Sequence, residues 1–395
     1  MSRLSRLTAP LRGLRAIVLG SLVALGACAP QAPGPGFVGM SPLAPQPVGP
    51  VQGPRAQVAL LLPLTGQNAA LGNAMLNAAQ LALFEQGAPG FEFVPRDTGG
   101  TPAGAAEAAR AAIASGARVL VGPLTGGETA AAASVARGSG VPMLAMTNDA
   151  TLGAPGVWVL GVTPAQQVRR AVASAAQNGA RKFAMAAPEG PFARQLAAEL
   201  RASVAQLGLP APVVVTYPAA ASLPLAARDL AQRIGEGGAD VLLLGESGQR
   251  ARDFAAALPQ AGFTTVPKLM GSALWLQDAG LANEPAMAGA IFPGPDPGAR
   301  AGFENRYQTA FGEQPSRIAA TAYDGAALAA RAMRAAGPGG MAPALPVGEV
   351  FLGADGALRL LPDGQTQRAL AVFAIQPGAP PQMVDPATLP GGPES

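Results

Sequence analysis

Histidine is absent from this chain of 395 residues, and cysteine occurs once. The first absence removes histidine-based triads, histidine acid–base catalysis and most zinc or iron sites. The second rules out an internal disulfide framework. Lysine occurs only at Lys182 and Lys268. A phosphate loop needs Gly-rich backbone followed by Lys and Ser/Thr in the spacing GxxxxGK[ST]. Neither Gly66, with its next glycine at Gly72, nor Gly122-Pro-Leu-Thr-Gly126-Gly127-Glu128 supplies that lysine. Nucleotide binding is therefore disfavoured. Aromatic residues are 5% and charged residues 13%, against 49% hydrophobic. The core must be built largely from Ala, Val and Leu, with many close backbone contacts. No basic stripe is interleaved with aromatics, so nothing points to nucleic acid. Gly245-Glu246-Ser247-Gly248 lacks the G-x-S-x-G order of a nucleophile elbow. The acids Asp97, Glu128 and Asp149 are scattered over loops without a partner base.

The N-terminus is informative. Arg3, Arg6, Arg12 and Arg15 precede an apolar run from Ala16 to Ala27. A basic region followed by a short apolar one reads as a secretory signal. The run falls short of the roughly 20 residues of a bilayer span. It ends in Leu25-Gly26-Ala27-Cys28, which resembles the lipobox of bacterial lipoproteins. That resemblance implies a lipid on Cys28, and Ala29 in place of Asp implies outer-membrane sorting. Removing the four arginines lowers the net charge from +3 to −1. Ala29 to Arg55 carries eight prolines and should be an extended, polyproline-like linker.

Beyond the linker, short apolar runs alternate with Ala/Leu helical patterns. Strands are expected at 58–62, 91–95, 119–121, 142–146, 157–160, 182–186, 213–217, 241–244, 268–271 and 290–292. Helices are expected at 69–86, 102–115, 127–138, 164–177, 191–207, 223–234, 249–258, 299–311 and 318–336. Pro at the first turn of several suits its missing N–H. Strands alternating with helices imply parallel sheets joined by right-handed crossovers. Short strands follow near 349–352, 357–361 and 370–375. Asp355-Gly356 and Asp363-Gly364 give hairpin signals between them. The fold class is α/β, in two lobes closed by a C-terminal hairpin.

The tetrapeptide PLTG occurs at Pro63–Gly66 and at Pro123–Gly126, each time after an apolar run and before a helix. In open α/β sheets ligands sit beyond the carboxyl ends of strands. Both copies occupy that position, as does Met146-Thr147-Asn148-Asp149. Free N–H groups at a helix start favour a carboxylate. Thr125 and Thr147 could contact such a ligand or could simply cap and turn. Thr65 is expected to cap the helix from Ala69.

The order of motifs resembles type I periplasmic binding proteins of the leucine/isoleucine/valine-binding kind. It is carried by VALLLPLTGQNAALGNAMLNAAQLAL, VLVGPLTGGETAAAASVARGSGVPMLAMTND, FENRYQTAFGEQPSRIAATAYDGAALAARAM and GADGALRLLPDGQTQRALAVFAI. The resemblance implies two Rossmann-like lobes with a cleft and three crossovers, near Gly161–Pro164, Pro293–Asp296 and Gly337–Leu345. The expected organisation is a signal peptide at 1–27 and a lipidated linker at 28–55. Lobe 1 then takes 56–162 plus 296–338, lobe 2 takes 163–295 plus 345–376, and a loose Pro/Gly-rich tail takes 377–395. Carried onto this sequence, the cleft candidates are Thr125, Gly126, Gly127, Ala145, Thr147, Asn148, Phe192, Glu246, Tyr323 and Asp324. Gly126 and Gly127 stand where relatives often keep a second hydroxyl. Glu246 could meet a ligand ammonium or be an ordinary helix-start residue.

A narrower resemblance is to the lipoprotein activators of penicillin-binding proteins. It rests on MTND followed by GVWVLGVTPAQQVRRAV, and on MAAPEGPFARQLAAEL. It implies a non-enzymatic lipoprotein that binds and activates a class A penicillin-binding protein, a peptidoglycan synthase. The second reading is the binding protein of an ABC importer, with a permease as partner and an amino acid or amide as ligand. A third is a ligand-sensing lipoprotein. No cofactor is implied by any of them.

Overall fold

The computed structural model describes residues 56–86, 90–336 and 343–391. The expected signal peptide, Cys28 and the expected linker lie outside the described residues, as does 337–342 of the expected third crossover. No helix among the described residues is long and apolar enough to cross a membrane.

The first lobe is built on five strands: β1 (Ala56–Leu62), β2 (Phe91–Asp97), β3 (Ala117–Val121), β4 (Met143–Ala145) and β5 (Val157–Val159). They alternate with helices α1 (Ala69–Gln86), α2 (Pro102–Ala114) and α3 (Gly126–Gly138). The sheet order is β2-β1-β3-β4-β5, and every pairing is parallel. Because helices cover both faces, the strands read as continuous apolar runs rather than alternating ones. Val58 to Leu62 are all buried, with side chains shared between a cluster on each face.

The chain then crosses into the second lobe. There α4 (Pro164–Gln177), β6 (Phe183–Pro188), α5 (Pro191–Gln206), β7 (Val213–Tyr217), α6 (Leu223–Ile234), β8 (Val241–Leu244), α7 (Gly248–Ala257), β9 (Lys268–Met270) and β10 (Ile291–Gly294) follow in order. Thr163 and Gln166 form a reciprocal capping box at the start of α4, with Pro164 at its first turn. This explains why the helix begins where the sequence pattern places it.

Two helices return to the first lobe, α8 (Pro297–Phe311) and α9 (Ala319–Ala336). Helix α9 is buried on nearly all sides, from Ala319 through Ala330, as expected of a helix apolar all round. A Cβ added at Gly325 would lie 2.8 Å from Val121 Cγ1 and 3.1 Å from Leu160 Cδ1. Only glycine lets α9 press this closely onto β3.

The C-terminal part differs from expectation in two ways. Strands β11 (Val350–Gly353), β12 (Gly356–Leu360) and β13 (Thr366–Arg368) form a separate antiparallel sheet. The segment 345–376 was expected to lie wholly in the second lobe. Instead Leu345, Ala354, Leu358 and Leu360 are buried in the first lobe's cluster, and the Trp158 indole donates to the Leu361 carbonyl at 2.8 Å. The third crossover is therefore at Arg368–Leu370, where β13 ends and β14 (Leu370–Gln376) begins. The second difference is the tail. Ala379–Thr388 forms β15, antiparallel to β14 and at the edge of a seven-stranded sheet ordered β15-β14-β10-β9-β8-β6-β7. An edge strand tolerates prolines such as Pro380, Pro381 and Pro386, whose missing N–H can face away from the ladder.

Candidate functional site

A cavity of about 630 Å³ lies between the lobes. Its walls come from both: Leu124, Met146 and Ile318 from the first, and Phe192, Leu274 and Leu276 from the second. Of the ten cleft candidates, Asn148 and Phe192 line this cavity. The other eight do not, and each has a physical reason.

Thr125 is the N-cap of α3. Its hydroxyl donates to Glu128 Oε2 at 2.7 Å and accepts from the Glu128 amide at 3.3 Å, and its own amide donates to Oε2 at 3.1 Å. Glu128 is fully buried and also accepts from the Thr98 hydroxyl. Gly126 and Gly127 form the first turn, but the chain's own acid stands beside it. A Cβ at Gly126 would lie 3.6 Å from Asp149 Oδ2. Ala145 is buried within β4. Thr147 is buried and accepts from the Asp149 amide, so it makes a local turn. Thr65, expected to cap α1, instead donates to Asp97 Oδ2 at 2.6 Å. Asp97 also takes the amides of Leu64, Thr65 and Gly99. These bonds, led by that of Thr65, hold its carboxyl below the ordinary range.

Glu246 accepts from the Tyr217 hydroxyl at 3.0 Å and from Arg250 at 2.8 and 3.0 Å. It is therefore committed within the second lobe. Burial, reinforced by Glu246, pushes the Tyr217 hydroxyl far above its ordinary pKa. Tyr323 donates to Glu85 and stacks edge-on with Phe303, which makes it packing between α1, α8 and α9. Burial pushes its hydroxyl up to about 12.

Asp324 sits at the crossovers without reaching the cavity. It accepts from the Ala354 amide at 2.7 Å and from Arg368 Nη1 at 2.9 Å. Arg368 Nε donates in turn to the Leu160 carbonyl at 2.8 Å. One ion pair thus ties α9 to the end of β5 and to the β13–β14 crossover. Complete burial pushes the Asp324 carboxyl up to about 6, against the opposing pull of Arg368.

The sequence reading missed the charged groups that do line the cavity: Arg300, Glu304, Arg317, Asp355 and Arg368. Arg300 donates to Glu304 Oε1 at 2.6 Å and Asp355 Oδ1 at 3.1 Å. Burial opposes its charge, but these two acids outweigh that and hold its pKa above the ordinary value. Arg317 is placed by the turn before α9 and donates across the cleft to the Ala273 carbonyl at 2.9 Å. Burial pushes its pKa down. The usable signal was the rarity of charge: Arg317 lies beside Ile318, between Pro315 and an Ala-rich helix. No cluster of acids and cysteine among the described residues could hold a metal ion.

With this architecture in view, a family model described as "Periplasmic binding protein" matches residues 56–380. This chain belongs to the periplasmic binding protein family. Its fold is the α/β fold of the type I members. Several solved structures share it. A Rhodospirillum rubrum protein described as a branched-chain amino acid ABC transporter aligns at TM-score 0.73 and 21% identity, over 84% of this chain and 100% of that one. A branched-chain amino acid ABC transporter ligand-binding protein from Burkholderia xenovorans aligns at 0.68 and 17%, over 85% and 94%. A Rhodopseudomonas palustris solute-binding protein in complex with 3,4-dihydroxybenzoic acid aligns at 0.60 and 19%, over 85% and 99%. Among curated proteins, no sequence match is found.

Proposed function

We propose that this periplasmic binding protein captures a small organic solute between its lobes and presents it to an ABC permease. The observation that carries this is the cavity of about 630 Å³, walled by apolar side chains of both lobes and holding a half-buried Arg317. Its volume is within the range of small-molecule sites. The similar structures come from transport systems and are named for branched-chain amino acids or hold an aromatic acid, which supports capture of a solute in that size range. The protein is read as a binder and not an enzyme, facing the periplasm and tethered by a lipid on Cys28. Ligand binding to the folded state alone raises its stability by about 2.7 kcal/mol at 100 times the dissociation constant. A thermal-shift screen of amino acids, amides and aromatic acids should give at least one such stabilisation. A flat response across that panel removes this reading. Metabolic labelling with palmitate, lost in Cys28→Ser, tests the tether.

The activator role is the second reading, and it has its own support. The lipobox-like Cys28, the Pro-rich linker and the MTND region fit a head held away from a membrane to touch a synthase. It expects the purified protein to bind a class A penicillin-binding protein of its own cell and to stimulate its polymerisation rate. Absence of both sinks it, whatever the cleft binds.

A further inference from the structure

Within the solute-capture reading, the cleft's charges bear on what the solute is. Three guanidinium groups line it. Arg300 is matched by Glu304 and Asp355, and Arg368 by Asp324. Arg317 is different. It gives one N–H to the Ala273 carbonyl, and no carboxylate lies within ion-pair reach of it among the described residues. A guanidinium carries five N–H donors, so most of its fork is uncommitted. Its backbone is also fixed, because Arg300 Nη1 donates to the Arg317 carbonyl at 3.0 Å. Here, then, is a positive charge partly removed from water and held in place, with no directly bonded carboxylate; Asp355, bonded to Arg300, favours its charge only from a distance.

The acids have the opposite distribution. Glu304 and Asp355 are both engaged by Arg300. Asp324 is engaged by Arg368 and an amide, and Glu246 by Tyr217 and Arg250. Among the described residues, each acid of the cleft wall is already hydrogen-bonded to a guanidinium, whereas Arg317 is hydrogen-bonded to no carboxylate. At the start of α3, Asp149 already stands beside the helix end.

We propose that Arg317 anchors a ligand carboxylate, and that the cleft selects an apolar monocarboxylate over the α-amino acid of the same carbon skeleton. This rests on the cleft being the solute site. Arg and carboxylate pair through two parallel hydrogen bonds, among the stronger contacts available in a shielded site. An α-ammonium carried into the same space would lose water and meet only acids already bonded to Arg300, and a desolvated, poorly paired charge is costly. Leu274, Leu276, Phe192, Met146, Leu124 and Ile318 give the apolar body its surface. Because Arg317 also touches Ala273 of the second lobe, a carboxylate held there sits where the lobes meet.

The test is isothermal titration of the purified protein with matched compounds. These are 4-methylpentanoate against leucine, 3-phenylpropanoate against phenylalanine, and 4-methylpentanamide as the uncharged control. At least one acid should bind, with its amino acid and the amide weaker by about tenfold or more. Arg317→Met should lose a similar factor for the acid while keeping its melting cooperativity. If that variant does not fold, the acid–amide and acid–amino acid comparisons on the unaltered protein decide. Amino acids binding as tightly as their skeleton acids, or a folded Arg317→Met binding the acid undiminished, overturns the inference but leaves solute capture standing. No binding by any of these or by the wider solute panel overturns both.

Discussion

Thr125 donates its only hydroxyl proton to Glu128 and accepts the Glu128 amide, so it has no donor left for a solute. Thr125→Ala should cost about 0.5–2 kcal/mol of stability, the usual range for a lost N-cap, while ligand affinity stays within about twofold. Chemical denaturation and titration of the same variant check both halves. Asp324 offers a pH test. Its carboxyl is raised from 3.8 to about 6, so between those values the folded chain holds a proton that the unfolded chain releases. Its stabilising contribution is full below about pH 4 and is lost as pH rises through about 6. The stability difference between the unaltered protein and Asp324→Asn should therefore fall across that window and level off above it. Denaturant midpoints from pH 4 to 7.5 would reveal a flat difference if the assignment is wrong. Above about pH 6, Asp324→Ala should be severe, by about 3–5 kcal/mol, because it leaves Arg368 buried without its carboxylate.

At the scale of elements, glycine placement decides how closely helices approach the sheets. The extra methyl of Gly325→Ala would meet Val121 and Leu160 within about contact distance or less. Overpacking of this kind costs about 1–3 kcal/mol. Gly302→Ala makes the opposite case. It lies inside α8, and its added Cβ would meet only the Arg306 side-chain end, at 3.4 Å. There the helix gains the propensity difference, and stability should rise by about 0.5–1 kcal/mol. Thermal unfolding of the pair should move in opposite directions. Equal shifts would mean that α9 can retreat from β3 without loss.

For the molecule as a whole, the last strand is structural. β15 covers the edge of β14, whose residues Leu370 to Ile375 are buried. Arg170 on α4 reaches the Leu370 carbonyl, the Asp385 carboxylate and the Pro386 carbonyl. The Arg170 bond holds the Asp385 carboxyl below its ordinary range, so this link contributes above that range and weakens as pH falls through it. Truncation after Gln376 would bare an apolar edge of the second lobe and strip Arg170 of two partners. Exposed edges of this kind template self-association. The shortened protein should aggregate in size-exclusion runs and lose cooperative melting. A monodisperse, fully stable product would return 377–391 to the status of a dispensable tail.

The apolar runs and their punctuation determined most of the elements. The expected 69–86, 164–177 and 223–234 are the observed α1, α4 and α6. Each combines an Ala/Leu pattern with local start signals, and such signals act within one turn of the chain. What the sequence could not decide was partnership across long separations. The alternation of Leu358 and Leu360 marks a strand but not which lobe's core receives it, so the third crossover was misplaced. The prolines of β15 disguised an edge strand as a tail. Two identical PLTG stretches received different roles because Asp97 stands beside one and Glu128 follows the other. Whether an arginine is matched by an acid depends on which loops the fold brings together. Only the tertiary structure decided that Arg300 bonds both nearby acids while Arg317 reaches a carbonyl of the other lobe.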